Sequence, residues 1–418
     1  MLNPIAFSEG LLRTFLQYQR SAYPFSSPVL NRQLHELLDL DKHRHTPLHK
    51  GPYVSLSQPF REGAKITDFV SRGIFHPHLR KIIPKQIERL YGHQQTAVES
   101  IHEGHPTVVS TGTGSGKTET FMYPIISRCL FLRDEDASPG ITAVIVYPMN
   151  ALAEDQLDRL RGLLAGTEIT FGMYVGKTPE NESEVQGKRL PKGSTAADYQ
   201  FVLNELRDKG EPITVHPYEE LCSRQALREK KPRILLTNIK QLELLLTRQV
   251  DAELFDDSRL EFLVFDEAHT FSGQIGAETA CLIRRLKQFA AADKEPVCIA
   301  TSATITNKLN IERKTPERFA HRLFGVPQES VAVVREEHDD ANWSNNLFEP
   351  LRCDDASSLL PQILATIGLQ ENVNTEQLFS LYETLIGQTL PKRADRLTQL
   401  HTSLLSNKLS RLIHQELR

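Results

Sequence analysis

From about residue 86 the chain alternates short apolar runs with longer stretches whose apolar positions recur at helical spacing. The runs that read as strands are Thr107–Ser110, Thr142–Val146, Ile169–Val175, Arg233–Leu236, Glu261–Phe265 and Val297–Thr301. They are rich in β-branched residues and alternate little, the pattern of strands covered on both faces. Helical stretches between most of them predict βαβ units, a parallel sheet and an α/β fold class. Residues from about 178 to 232 interrupt the alternation. This stretch is polar, with ENESEVQGKR near its start and REKKP at its end, and reads as an insertion with one or two helices.

The flanks have a different character. Residues 1–85 form a mixed N-terminal accessory leader with turn signals at Ser26-Ser27-Pro28 and Lys50-Gly51-Pro52. Leu11, Leu12, Phe15 and Leu16 share helical spacing and predict a short amphipathic helix. His43, His45, His49, His76 and His78 crowd this leader without a Cys or carboxylate to complete a ligand pattern, so they read as a polar, solvated loop. Residues 327–418 read as a helical connector: after about 341 there are 17 Leu in 78 residues, no strand signal, and breaks at Pro361, Gly387 and Pro391.

Composition narrows the picture. At 418 residues the chain has room for two or three domains of about 150 residues. Lys+Arg of 49 against Asp+Glu of 53 excludes a uniformly basic coat for nucleic acid but allows a local basic groove. The five cysteines are never closer than 17 residues, which excludes a CxxC metal site and a disulfide framework and suits reduced thiols in a cytoplasmic protein. No apolar run reaches the roughly 18 residues of a membrane span, and the first residues lack a signal-peptide pattern.

The strongest chemical signal is Ser110-Thr-Gly-Thr-Gly-Ser-Gly-Lys-Thr118, which follows a predicted strand and opens a predicted helix. That context makes it a P-loop. Gly112, Gly114 and Gly116 let the backbone curl so that its N–H groups, with those of Thr111, Thr113 and Ser115, face phosphate oxygens. The helix start adds its positive dipole end. Lys117 brings an ammonium to the β and γ phosphates, and Thr118 offers a hydroxyl to Mg²⁺. The strict pattern has Gly where this chain has Thr111. A second signal lies 149 residues beyond Lys117: Val264-Phe-Asp-Glu-Ala-His269 ends an apolar strand, where ligands sit in an open α/β sheet. Asp266 there can hold the Mg²⁺, and Glu267 can polarise the attacking water.

Asp-Glu-Ala-His together with Gly-Ser-Gly-Lys-Thr resembles superfamily 2 helicases of the DEAD/DEAH-box type, whose catalytic core is RecA-like. Further segments follow in that family's order. Leu90-Tyr-Gly-His-Gln94 is similar to the upstream glutamine motif, which implies that Gln94 reads adenine. Tyr147-Pro-Met-Asn-Ala-Leu-Ala153 resembles motif Ia, which implies backbone contacts of a nucleic acid at Pro148 and Asn150. Leu236-Thr-Asn238 resembles motif Ib, which implies phosphate contacts from Thr237 and Asn238, although Ile239 sits where many relatives have Pro. Ser302-Ala-Thr304 matches motif III, which implies that Ser302 and Thr304 couple nucleotide state to strand contact, with His269 as relay. Asp266 to Gly276, Leu282 to Leu286, Tyr174 to Pro179 and Phe319 to Gly325 also look like MrfA-type repair helicases and the large helicases of Druantia-type antiphage systems.

The resemblance covers residues 86–326, the expected ATP-binding RecA-like domain. Such motors bind ATP between two RecA-like domains, and the second supplies arginines in a Gln-x-x-Gly-Arg-x-Gly-Arg motif. No such pattern follows Thr304. The expectation is therefore a truncated or split helicase motor, weakly active alone, that uses ATP and Mg²⁺ and contacts single-stranded DNA or RNA through phosphates. A separate polypeptide would carry the second RecA domain. Two other readings stay open: a catalytically incompetent, nucleotide-gated binding module or gene remnant, and a P-loop ATPase unrelated to nucleic acid. Motifs Ia and Ib argue against the last.

Overall fold

The computed structural model of the protein describes residues 4–22, 24–39, 59–112, 114–210, 213–256, 258–290, 294–303, 315–338 and 375–386. The chain divides into two compact units. One comprises Met1–Gln58 with Asp340–Arg418 and contains the helices α1 (Pro4–Ala22), α2 (Pro28–Leu37) and Thr375–Ile386. In α1 Leu16 is buried, while Leu11 and Phe15 are exposed at 63% and 43%, so the expected apolar stripe is only partly covered. Arg20 at the end of α1 donates to the carbonyls of His35 and Leu38. The rest of the expected C-terminal helical segment, and His43, His45 and His49, lie outside the described residues.

The second unit, Pro59–Asp339, reaches beyond the expected 86–326 on both sides. Its strands are β1 (Glu62–Lys65), β2 (Arg89–Tyr91), β3 (Thr107–Ser110), β4 (Ala143–Tyr147), β5 (Phe171–Tyr174), β6 (Lys188–Arg189), β7 (Val215–His216), β8 (Ile234–Asn238), β9 (Phe262–Phe265), β10 (Val297–Ser302) and β11 (Ala332–Arg335). Seven of them form one parallel sheet in the order β11-β3-β10-β9-β4-β8-β5. This is a RecA-like α/β fold, and its six inner and flanking strands are those the apolar runs predict.

The near-continuous apolar strands follow from burial on both faces. In β4, Ala143, Ile145 and Tyr147 point into one core layer, and Val144 and Val146 into the other. The first layer packs under α3 (Ile66–Ser71), α4 (Leu79–Ile82), α5 (Gly92–His102), α6 (Lys117–Asp134) and α7 (Asn150–Leu164). The second packs under α10 (Ile239–Thr247), which the short α11 (Gln249–Ala252) follows, α12 (Gly273–Ala290) and α13 (Thr315–Phe324). Each such Val, Ile or Leu contributes roughly 1.5–3 kcal/mol by leaving water, which makes the sheet a firm base for whatever sits at its strand ends. His76 departs from the expected solvated loop: it is 6% exposed, and its Nε2 meets Asp134 Oδ2 at 2.9 Å.

The 178–232 stretch carries the helices α8 (Ala196–Asp208) and α9 (Arg224–Lys230), with β6 and β7 paired in parallel. It is bolted to α7 by a buried network. Arg161 Nε and Nη2 donate to the two oxygens of Glu220 at 2.7 and 2.6 Å, and His216 Nδ1 lies 3.0 Å from Glu220 Oε2. His216, Glu220 and Cys222 also converge closely enough to suggest a metal site. Arg161 argues against one, because its guanidinium already occupies both carboxylate oxygens. Among the described residues no helix is long and apolar enough to cross a membrane.

Candidate nucleotide and nucleic-acid site

The strand register brings the chemical residues together. Ser302 is level with Ser110, Ala300 with Phe265, and Val146 with Phe265. The P-loop, the Asp-Glu-Ala-His segment and the Ser302 segment therefore leave the sheet at the same carboxyl edge, where α/β folds hold ligands.

In the P-loop, Gly114 and Gly116 take φ of +80° and +76°, a conformation that favours glycine. A Cβ on Gly116 would lie 2.3 Å from Gln94 Nε2, so glycine is required there twice over. Gly112 has no positive φ, and its N–H donates to Glu336 Oε2 at 2.8 Å. Thr111, the departure from the strict pattern, has a structural use. Ser115 Oγ donates to Gly112 O at 2.8 Å, which leaves the Thr111 hydroxyl to donate to Ser115 Oγ at 2.7 Å. The buried pair ties the two ends of the loop together. Thr113 lies outside the described residues.

The glutamine segment grips this loop from α5. Gln94 Nε2 donates to Gly116 O at 3.0 Å, while its Oε1 accepts from Tyr91 N at 2.9 Å. Each end of the amide thus has one partner in the protein, which makes Gln94 a clamp on the P-loop. His93, which the sequence reading passed over, is a second clamp: its Nε2 lies 2.8 Å from Ser115 O. The ring is fully buried, and burial pushes its pKa below the ordinary histidine value, opposed by the Ser115 carbonyl. The neutral ring therefore donates through Nε2.

Lys117 Nζ donates to Thr111 O at 3.3 Å and lies 3.9 Å from Glu267 Oε1. Asp266 Oδ1 accepts from Thr301 Oγ1 and, at 3.1 Å, from Glu267 N. Burial raises the Asp266 pKa above the usual carboxylate range, against the Thr301 hydrogen bond. Its negative charge is under-compensated, and a divalent cation fits such a site. Glu267 adopts φ +49°, ψ +46°, a left-handed conformation rare for a non-glycine residue, so backbone strain is stored within the Asp-Glu pair. His269 Nδ1 lies 3.3 Å from Glu267 Oε2 and 3.2 Å from Ser302 Oγ, joining two of the sequence-predicted coupling residues. Thr304 lies outside the described residues. Thr301 was not singled out from sequence. Its one legible signal is a hydroxyl residue at a strand end beside Ser302.

The predicted strand-contact residues divide. Tyr147 is level with Asn238, so the ends of β4 and β8 adjoin, and Asn238 Nδ2 donates to Asn150 Oδ1 at 2.8 Å. Asn238 Oδ1 also caps α10 by accepting from Gln241 N at 2.8 Å. Pro148 is half-buried, and Met149 beside it is 63% exposed. Thr237 does not serve as expected: it is fully buried, and its hydroxyl donates to Tyr174 O at 2.8 Å. Both faces of β8 are covered up to Thr237, and only Asn238, at the end of the strand, emerges from that cover.

Comparison with known proteins gives a consistent picture. The family model described as DEAD/DEAH box helicase matches residues 91–194 and 200–311. The Druantia protein DruE of Escherichia coli is 32% identical, over 59% of this chain and 17% of that protein. The ATP-dependent helicase YprA of Bacillus subtilis is 28% identical, over 59% of this chain and 26% of its own length. The chain thus spans 17% and 26% of these two relatives. The crystal structure of the DUF1998 helicase MrfA bound to DNA aligns with a TM-score of 0.47 and 22% identity, over 80% of this chain and 40% of that one.

Proposed function

Because the chain belongs to the DEAD/DEAH box helicase family, we propose that its Pro59–Asp339 unit is an ATP-binding motor lobe that engages single-stranded DNA or RNA. The observation that carries this reading is the convergence of Lys117, Asp266, Glu267, His269 and Ser302 at one sheet edge, with Lys117 Nζ 3.9 Å from Glu267 and His269 touching both Glu267 and Ser302.

In this reading the P-loop amides and Lys117 bind the β and γ phosphates of ATP, and the α6 N-terminus adds its dipole. Lys117 leaves the Thr111 carbonyl and Glu267 to do so, which frees the Glu267 carboxylate to orient the attacking water. Asp266 and Thr118 would hold Mg²⁺, which when bound neutralises charge on the phosphates. Thr301 keeps the Asp266 carboxylate oriented. His269 senses Glu267 and passes its position to Ser302 at the end of β10. Asn150 and Asn238, paired at the starts of α7 and α10, offer amide groups to strand phosphates. Binding through phosphates is salt-dependent and indifferent to sequence.

Full hydrolysis needs a cation at the transition-state phosphoryl group, worth ~10³–10⁵ in rate. We assign that cation to arginines of a second RecA-like lobe, in the same longer polypeptide or in another. The test is ATP hydrolysis by the purified chain, with and without an oligothymidine or oligouridine strand, alongside Lys117→Ala. Strand-stimulated turnover that the variant loses supports the motor reading. ATP turnover equal in the variant and the parent overturns it.

A further inference from the structure

We propose that Arg159 and Glu119 form a positioning pair that links strand engagement at the start of α7 to nucleotide affinity at the P-loop, an inference that rests on the motor reading above. Neither residue belongs to a motif recognised in the sequence.

Glu119 directly follows Thr118 in the first turn of α6, and its side chain is 15% exposed. Its Oε1 accepts from Arg159 Nη2. Its Oε2 is buried without a hydrogen-bond partner and lies 3.1 Å from the point where a Cβ on Gly116 would sit. A carboxylate thus presses against the loop that is to receive a triphosphate. An acid in the first turn of a helix favours that helix through the dipole, and this one sits against Gly116 of the candidate phosphate loop. Only the Arg159 guanidinium offsets its charge: among the described residues it is the sole ion pair between α6 and α7.

Arg159 is carried by α7, a helix of 15 residues that begins at Asn150. The nine residues from Asn150 to Arg159 span about 14 Å of helix axis. Asn150 is joined to Asn238 at 2.8 Å, so both candidate strand contacts act on the same end of α7. A helix moves as a rigid body, and a strand that fixes Asn150 and Asn238 fixes Arg159 as well. With the pair closed, Glu119 is neutralised and the triphosphate is accepted. With the pair open, Glu119 repels it. The proposed link has these two states, and the structure shows the closed one.

The signs are diagnostic. Arg159→Ala leaves a bare carboxylate beside the P-loop and weakens nucleotide binding. Glu119→Gln removes the repulsion and leaves nucleotide binding as tight as in the parent or tighter. Both abolish the link. Loss of structural support alone would push the two variants in the same direction. The experiment titrates a fluorescent ATP analogue with Mg²⁺ into the full chain, with and without an oligothymidine or oligouridine strand, with melting curves as a folding control. The parent is expected to bind nucleotide at least about 5-fold tighter when a strand is present, the lower end of ordinary coupling. That ratio falls to one in Arg159→Ala and Glu119→Gln. It returns in Arg159→Lys, which restores the charge. In the double variant Arg159→Ala/Glu119→Gln nucleotide affinity recovers, while the ratio stays at one.

A ratio preserved in both single variants overturns the inference. So does a shift of nucleotide affinity in the same direction in both, or a parent that binds nucleotide with no strand effect. A parent that binds no nucleotide overturns the motor reading itself, and the inference with it.

Discussion

Thr301→Val isolates the support of the candidate metal carboxylate. Thr301 is fully buried, and its hydroxyl donates to Asp266 Oδ1. Valine keeps the shape and removes that donor, together with the long 3.4 Å contact the hydroxyl accepts from Glu267 N. The remaining donor to the same oxygen is Glu267 N at 3.1 Å. A hydrogen bond to a charged group contributes about 1.5–3 kcal/mol. At 1.36 kcal/mol per pKa unit, its loss raises the Asp266 pKa by a further 1–2 units or so. Burial already holds that pKa above the usual carboxylate range, so the variant adds to an existing penalty. At pH below the Asp266 pKa, where a proton competes with the ion, that shift is about a 10- to 150-fold rise in the Mg²⁺ needed for half-saturation. The assay is nucleotide binding as a function of Mg²⁺ at several pH values. The acid limb of Mg²⁺-dependent binding should move to higher pH, because the carboxylate must be ionised to hold the ion. An acid limb that stays where the parent's lies, in a variant that melts normally, would refute the role given to Thr301 and Asp266.

Other expectations follow from the same geometry. His93 is held neutral by burial, so below its ordinary pKa of 6.5 the unfolded chain takes up a proton that the native site refuses. Its contribution to stability is therefore present above pH 6.5 and lost as pH falls, and melting curves should show an acid-side decline that His93→Gln flattens. Glu220→Leu takes the buried carboxylate from Arg161, leaving it only the exposed Asp158, and removes the hydrogen-bond partner of His216; it should cost about 3–5 kcal/mol, read from denaturant midpoints, and a loss under about 1 kcal/mol would contradict the anchoring role. Glu336 places a carboxylate on the Gly112 amide, so Glu336→Gln should tighten ATP binding, and unchanged affinity in a titration would show that the contact does not oppose phosphate.

What the sequence makes legible, and what it hides, divides along a physical line. Strands buried on both faces declare themselves as apolar β-branched runs, which is why β3, β4, β5, β8, β9 and β10 lie where the runs predict. β11 escapes because it is an edge strand: Ala332 and Val333 are only half-buried, and Arg335 is exposed. The P-loop is a local pattern and can be read without a fold. His93, Thr301 and Glu336 act through contacts 22, 35 and 224 residues away in the chain, and no local signal reports such partners. Thr237 shows the converse error. The motif names the residue, but Thr237 still lies under the cover of the sheet, and only Asn238 at the strand end emerges from it. Thr111 departs from the consensus for a reason visible only in the folded loop, its hydroxyl bond to Ser115.

The central claim is that the P-loop, with Lys117, binds the phosphates of ATP. Calorimetric titration of ATP with Mg²⁺ into the parent chain and into Lys117→Ala tests it most directly. The account predicts saturable, Mg²⁺-dependent binding in the parent and its loss in the variant, with both proteins melting alike. Equal ATP affinity in the two proteins, or no Mg²⁺-dependent binding in the parent, would contradict it.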